Sequence, residues 1–114
     1  MDRYSDNNFM DDNFKCFYRI LRTLEQALDL DDFDMEAVGY ERLKISENRW
    51  CHYMEMLVDE GYIKGINITR YVDGGCKVSD CGIRITLKGL EYLSENSIMQ
   101  RLYKAGMNAK NLIG

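Results

Sequence analysis

Tyr62-Ile63-Lys64-Gly65-Ile66-Asn67-Ile68-Thr69-Arg70-Tyr71-Val72-Asp73-Gly74-Gly75 is the stretch on which the fold turns. Ile66, Ile68 and Arg70 alternate with Asn67, Thr69 and Tyr71, the period-two pattern of a strand. Asp73-Gly74-Gly75 is a strong turn signal, and Gly82-Ile83-Arg84-Ile85 supplies a returning strand. The spacing therefore predicts a β-hairpin whose loop runs from Val72 to Cys81. Immediately before it, Ser46 is placed to cap a helix in which Trp50, Met54, Leu57 and Val58 recur at helical spacing until Gly61 stops it.

Working outward, Phe14, Phe17, Tyr18, Leu21, Leu24 and Leu28 form an apolar stripe that predicts a helix over 13–28, with Lys15, Arg19 and Arg22 off the stripe. Asp34 is a good N-cap for a short helix from Met35 to Val38, ended by Gly39. Beyond the hairpin, Thr86 caps a helix carrying Leu87, Leu90 and Leu93, and Ser97 starts a last helix that runs toward Leu112. Three helices followed by a two-stranded hairpin predict an α+β domain of winged helix-turn-helix type, with two C-terminal helices. The third helix takes the recognition position and the loop from Val72 to Cys81 is the wing. Residues 1–12 form a polar arm and 13–112 a single domain. In the expected core, Phe17, Leu21 and Leu24 pack against Trp50, Met54 and Leu57.

The chain has 114 residues, 46% hydrophobic and 30% charged, which suits one globular domain and excludes wholesale disorder. No apolar run approaches the roughly 18 residues of a membrane span, and the first dozen residues are too acidic and polar for a signal peptide. Without such a signal the expected setting is the cytoplasm, with the four cysteines as free thiols. Fifteen basic against nineteen acidic residues give a net charge of −4, so a strongly basic nucleic-acid footprint is lacking. The charge is uneven, −8 over residues 1–60 and +4 over 61–114.

Two further stretches resemble a known family. Ile45-Ser46-Glu47-Asn48-Arg49-Trp50, leading into Met56-Leu57-Val58-Asp59-Glu60-Gly61-Tyr62-Ile63, is similar to the end of a winged-helix third helix. Ile85-Thr86-Leu87-Lys88-Gly89-Leu90-Glu91-Tyr92-Leu93-Ser94-Glu95-Asn96-Ser97, with Tyr103-Lys104 beyond, resembles the carboxyl half of the YjcQ-like proteins. The resemblance covers roughly residues 13–112. It implies a compact winged-helix domain of Gram-positive bacteria and their phages or prophages. It brings no catalytic residues with it.

The residues themselves offer little chemistry. With Trp50, Met54 and Leu57 turned inward, Asn48, His52, Glu55 and Asp59 face outward and Arg49 and Met56 lie on a flank. Asn48, Arg49 and His52 are side chains able to read base edges, with Lys77 on the wing as a phosphate contact. Against that, Ser46 to Glu60 holds one Arg and four acids, and Asp73 and Asp80 offset Lys77. A protein partner is therefore favoured, and DNA is the alternative.

Cys76 and Cys81 are too few for a structural zinc site, leaving free thiols or a Cys76–Cys81 bridge. His52 has no nucleophile spaced beside it, so no enzyme, cofactor or small-molecule substrate is expected. In the last helix Met99, Tyr103 and Met107 form a second apolar strip, which predicts a homodimer interface.

Overall fold

Helix α1 (Asp12–Gln26) opens the part of the chain that the computed structural model describes, residues 12–96 together with Arg101. Cys16, Tyr18, Ile20, Leu21 and Leu24 are buried on it. The buried face is thus wider on one flank than the predicted stripe, since Cys16 and Ile20 lie one turn apart from each other and from Leu24. Three residues of that stripe are not buried: Phe14 is 45% exposed, Leu28 56%, and Phe17 is half-buried. Leu28 leaves the face because the helix gives way to a 3-10 turn at Ala27–Asp29.

The short second element forms as a 3-10 turn at Met35–Val38, with the Asp34 carboxylate accepting from the Glu36 amide at 3.0 Å. An element absent from the sequence reading follows: the single turn α2 (Tyr40–Leu43), closed by Lys44 in the left-handed region. Helix α3 (Glu47–Asp59) is capped by Ser46, whose hydroxyl accepts from the Arg49 amide at 3.1 Å. Trp50 is 6% exposed and donates its indole N–H to the Val38 carbonyl at 2.8 Å, beside the Tyr40 ring.

Strands β1 (Ile63–Arg70) and β2 (Cys76–Ile85) pair antiparallel, from Ile63 opposite Ile85 to Arg70 opposite Cys76. The predicted loop from Val72 to Cys81 is corrected here. Strand β2 already begins at Cys76, and only 71–75 turn, closed by Tyr71 N–H to the Gly75 carbonyl at 3.1 Å. Gly74 and Gly75 both have positive φ, so two glycines reverse the chain and Cys76 and Val78 resume the alternation.

Near the base the ladder is irregular between Lys64 and Ile66. Gly65 has φ +89, and a Cβ there would lie 2.1 Å from the Gly82 carbonyl oxygen. Asp80 Oδ1 accepts from the amides of Gly82 and Ile83, at 2.9 Å each, and pins this bulge. Helix α4 (Leu87–Glu95) starts at Thr86, whose hydroxyl accepts from the Gly89 amide at 3.1 Å and donates to the Gly61 carbonyl.

These elements make an α+β fold: among the described residues, four α-helices and a two-stranded antiparallel hairpin. One core joins Leu21 and Leu24 of α1 to Trp50, Met54 and Leu57 of α3, as expected from the sequence, with Ile63, Ile83 and Ile85 of the hairpin closing it. Phe17 sits at its edge. The predicted polar arm, Asp12 apart, and the predicted last helix from Ser97 to Leu112, Arg101 apart, lie outside the described residues.

Truncating Leu21 or Trp50 to Ala should cost about 2–5 kcal/mol in urea unfolding. Gly65→Ala should destabilise more than Gly74→Ala, because a Cβ at Gly74 meets nothing within 4 Å.

Candidate functional site

The outward side of α3 is the surface to which the sequence reading assigned recognition. Asn48, Arg49 and His52 are all exposed there and sit together. Arg49, however, is hydrogen-bonded within the molecule. Its guanidinium donates to Asn13 Oδ1 of α1 at 3.0 Å and to the Tyr53 hydroxyl at 3.1 Å, and lies 5.9 Å from the Tyr53 ring centre. The Tyr53 hydroxyl in turn donates to Asn13. Asn13, Arg49 and Tyr53 thereby brace α1 to α3. On the other flank, Arg70 of β1 forms an ion pair with Glu55.

Lys77 does not join this surface. It stands opposite Thr69, between Cys76 and Val78, whose side chains face α3 and the core. Alternation along the strand therefore puts Lys77 on the far face of the hairpin. The predicted wing contact and the predicted helix contacts point to different sides.

Beside α3 the fold leaves a groove of about 550 Å³ that the sequence reading missed. Phe14 and Phe17 of α1 and Tyr53 and Met56 of α3 supply its apolar walls, with Asn48, Arg49 and His52 among the polar groups at its rim. Phe17 stacks edge-on to Tyr53 at 4.9 Å and to Phe14 at 5.8 Å. Met56 is 49% exposed. Among the described residues, no Asp or Glu lines this groove, in a chain of net charge −4. Two signals were present in the sequence: an aromatic at the first turn of α1, before any core could cover it, and a methionine on the polar flank of α3.

The cysteines require a second correction. Cys51 of α3 and Cys76 of β2 form a disulfide, with Cα atoms 6.4 Å apart and a sequence separation of 25. Cys76 and Cys81 cannot pair: five positions apart on one strand, they point to opposite faces. Cys81 is exposed, with the Asn67 amide donating to its sulfur at 3.4 Å. Cys16 is buried, and burial pushes its thiol pKa up. Among the described residues, no three His, Cys, Asp or Glu side chains gather to hold a metal ion.

Comparison with protein families matches residues 18–112, most of the chain, to the family described as YjcQ protein. The chain belongs to the YjcQ family. Neither the comparison with curated proteins nor that with solved structures returns a match. Among the described residues of this YjcQ protein, no helix is long and apolar enough to cross a membrane. The predicted dimer residues Met99, Tyr103 and Met107 lie outside the described residues.

In this YjcQ protein the Glu55–Arg70 pair also sets a pH dependence. The hydrogen bond from Arg70 holds the Glu55 carboxyl below its ordinary pKa of 4.5, assisted by the charges of Arg70 and His52 and opposed by desolvation. A depressed carboxylate stabilises the fold above its unfolded pKa, and that contribution is lost as pH falls through the folded value. Arg70→Ala should therefore lower stability slightly at neutral pH. The difference from wild type should close on acidification below the ordinary glutamate range. It should also shrink with added salt, because both side chains are 39% exposed. Urea unfolding across pH and ionic strength reads both.

Proposed function

We propose that this YjcQ protein is a non-enzymatic winged-helix module of a phage or prophage, acting in the cytoplasm by docking a protein partner in the groove between α1 and α3. The observation that carries this reading is the groove itself. It has apolar walls left open beside the recognition-position helix, and no carboxylate among the described residues lines it. Open apolar surface of this kind on a small protein marks an interaction site. Charge complementarity narrows the partner to a segment that presents large apolar side chains flanked by carboxylates, to meet Arg49 and His52 at the rim.

The second reading is DNA recognition, favoured by the exposure of Asn48, Arg49 and His52 on one helix face. It ranks lower because phosphate affinity needs available cations. Arg70 is paired with Glu55 and Lys77 faces away, which leaves on this face the single charge of Arg49, hydrogen-bonded to the neutral Asn13 and Tyr53.

Panning a displayed random-peptide library on the full chain tests the two together. Enriched peptides should combine aromatic or aliphatic residues with Asp or Glu. Met56→Glu should weaken them roughly tenfold or more, with the unfolding midpoint unchanged. Random duplex DNA should bind no tighter than about micromolar at physiological salt. Tight, steeply salt-dependent DNA binding that disappears in Arg49→Ala would replace the protein-docking reading with the DNA one.

A further inference from the structure

Two links join α3 to the hairpin, and they form a matched set. Cys51 and Glu55 are four residues apart on α3, so they lie one turn apart on the same face. Their partners, Cys76 and Arg70, are directly opposite each other in the hairpin. A disulfide and an ion pair therefore hold the same cross-strand pair, the last one before the turn, against one face of α3. Beyond that pair the tip consists of 71–75, all exposed, with Val72 projecting fully into solvent.

We propose that Cys51 and Cys76 are a reversible redox site, a dithiol–disulfide clamp that determines how firmly the hairpin tip is held on α3. When the clamp is reduced, Cys51 and Cys76 become small apolar side chains within the core cluster, so the domain keeps its fold. What then remains at the tip is the Glu55–Arg70 pair, half open to water and weak for that reason. The tip becomes mobile while its base stays fixed by Ile63, Ile83 and Ile85.

Both sulfurs are buried, with Cys51 1% and Cys76 6% exposed, yet Cys76 has a route to solvent. It lies at the end of the ladder, and fraying of that single pair exposes it. Cys16 is buried on α1, away from this ladder end. Cys81 is exposed on the opposite face of the hairpin and cannot reach the pair.

The co-reactant that fits is a low-molecular-weight disulfide such as oxidised glutathione. The Cys76 thiolate attacks one of its sulfurs, breaking that S–S bond and releasing one small thiolate. The Cys51 thiolate then attacks the Cys76 sulfur of the mixed disulfide and releases the second. Two protein thiols and one small disulfide become one protein disulfide and two small thiols. The two electrons pass to the reagent, and the two thiol protons end on the released thiolates. Reduction runs the same steps backward. The proposal stands whether the α3 surface meets protein or DNA.

The test incubates the full chain in glutathione buffers from fully reduced to fully oxidised and alkylates the remaining thiols. Mass spectrometry then reads each cysteine, with amide hydrogen exchange followed on parallel samples. Cys51 and Cys76 should lose alkylation together as oxidised glutathione rises, with Cys16 and Cys81 outside the pair. Reduction should raise exchange at amides 68–78 roughly tenfold, with α1 and α4 unchanged. Cys51→Ser should show the reduced pattern in every buffer. Should that variant not fold, the wild-type comparison decides alone. The proposal is overturned if the bond persists throughout the glutathione range, if the two thiols never pair, or if exchange at the tip is the same in both states.

Discussion

The indole N–H of Trp50 reaches the Val38 carbonyl while its rings bury against Tyr40, and this bond sets the rotation of α3. A buried indole without a partner is costly, so the helix has little freedom to turn. Once Trp50 faces inward, the roughly 100° step between residues decides every other direction. Cys51 and Glu55 fall on the flank toward the hairpin, where they meet Cys76 and Arg70. Arg49, Tyr53 and Met56 fall on the opposite flank toward α1, where the first two meet Asn13 and Met56 lines the groove. Asn48 and His52 are left outward.

That arrangement decides how the charge of the surface reads. A helix that reads DNA usually spends its cations on phosphate, since phosphate contacts supply much of the affinity. In this YjcQ protein the two arginines that flank α3 are used in construction. Arg49 braces one flank and Arg70 the other. Lys77 lies on the face of the hairpin away from the helix. Beside α3 lies an apolar groove with Asn48, Arg49 and His52 among its lining residues.

Much of this was readable in the residues. The caps at Asp34, Ser46 and Thr86, the strand alternation through Ile66 and Ile68 and the Gly74-Gly75 reversal all appear where local rules place them. Each depends on a few neighbours in the chain. The features that escaped depend on distant ones. The extent of β2 was hidden because Cys76 to Cys81 looks like a loop until Ile68 stands opposite Val78. The exposure of Phe14 depends on where the core ends, which no helical periodicity records. The Cys51–Cys76 pairing joins positions 25 apart, and spacing had directed attention to Cys81 instead. The groove was least visible, because it is built from residues of two helices whose individual patterns each look like imperfect amphipathicity.

The central claim is that the arginines flanking α3 are structural. Side-chain Nε–H relaxation of the arginines, measured by NMR on the full chain at neutral pH, tests it most directly. Arg49 and Arg70 should be nearly as ordered as the backbone, while Arg19 and Arg42 on exposed helix surfaces average freely. Adding duplex DNA should leave Arg49 unchanged. An Arg49 as mobile as Arg19, which becomes ordered only when DNA is added, would contradict the account.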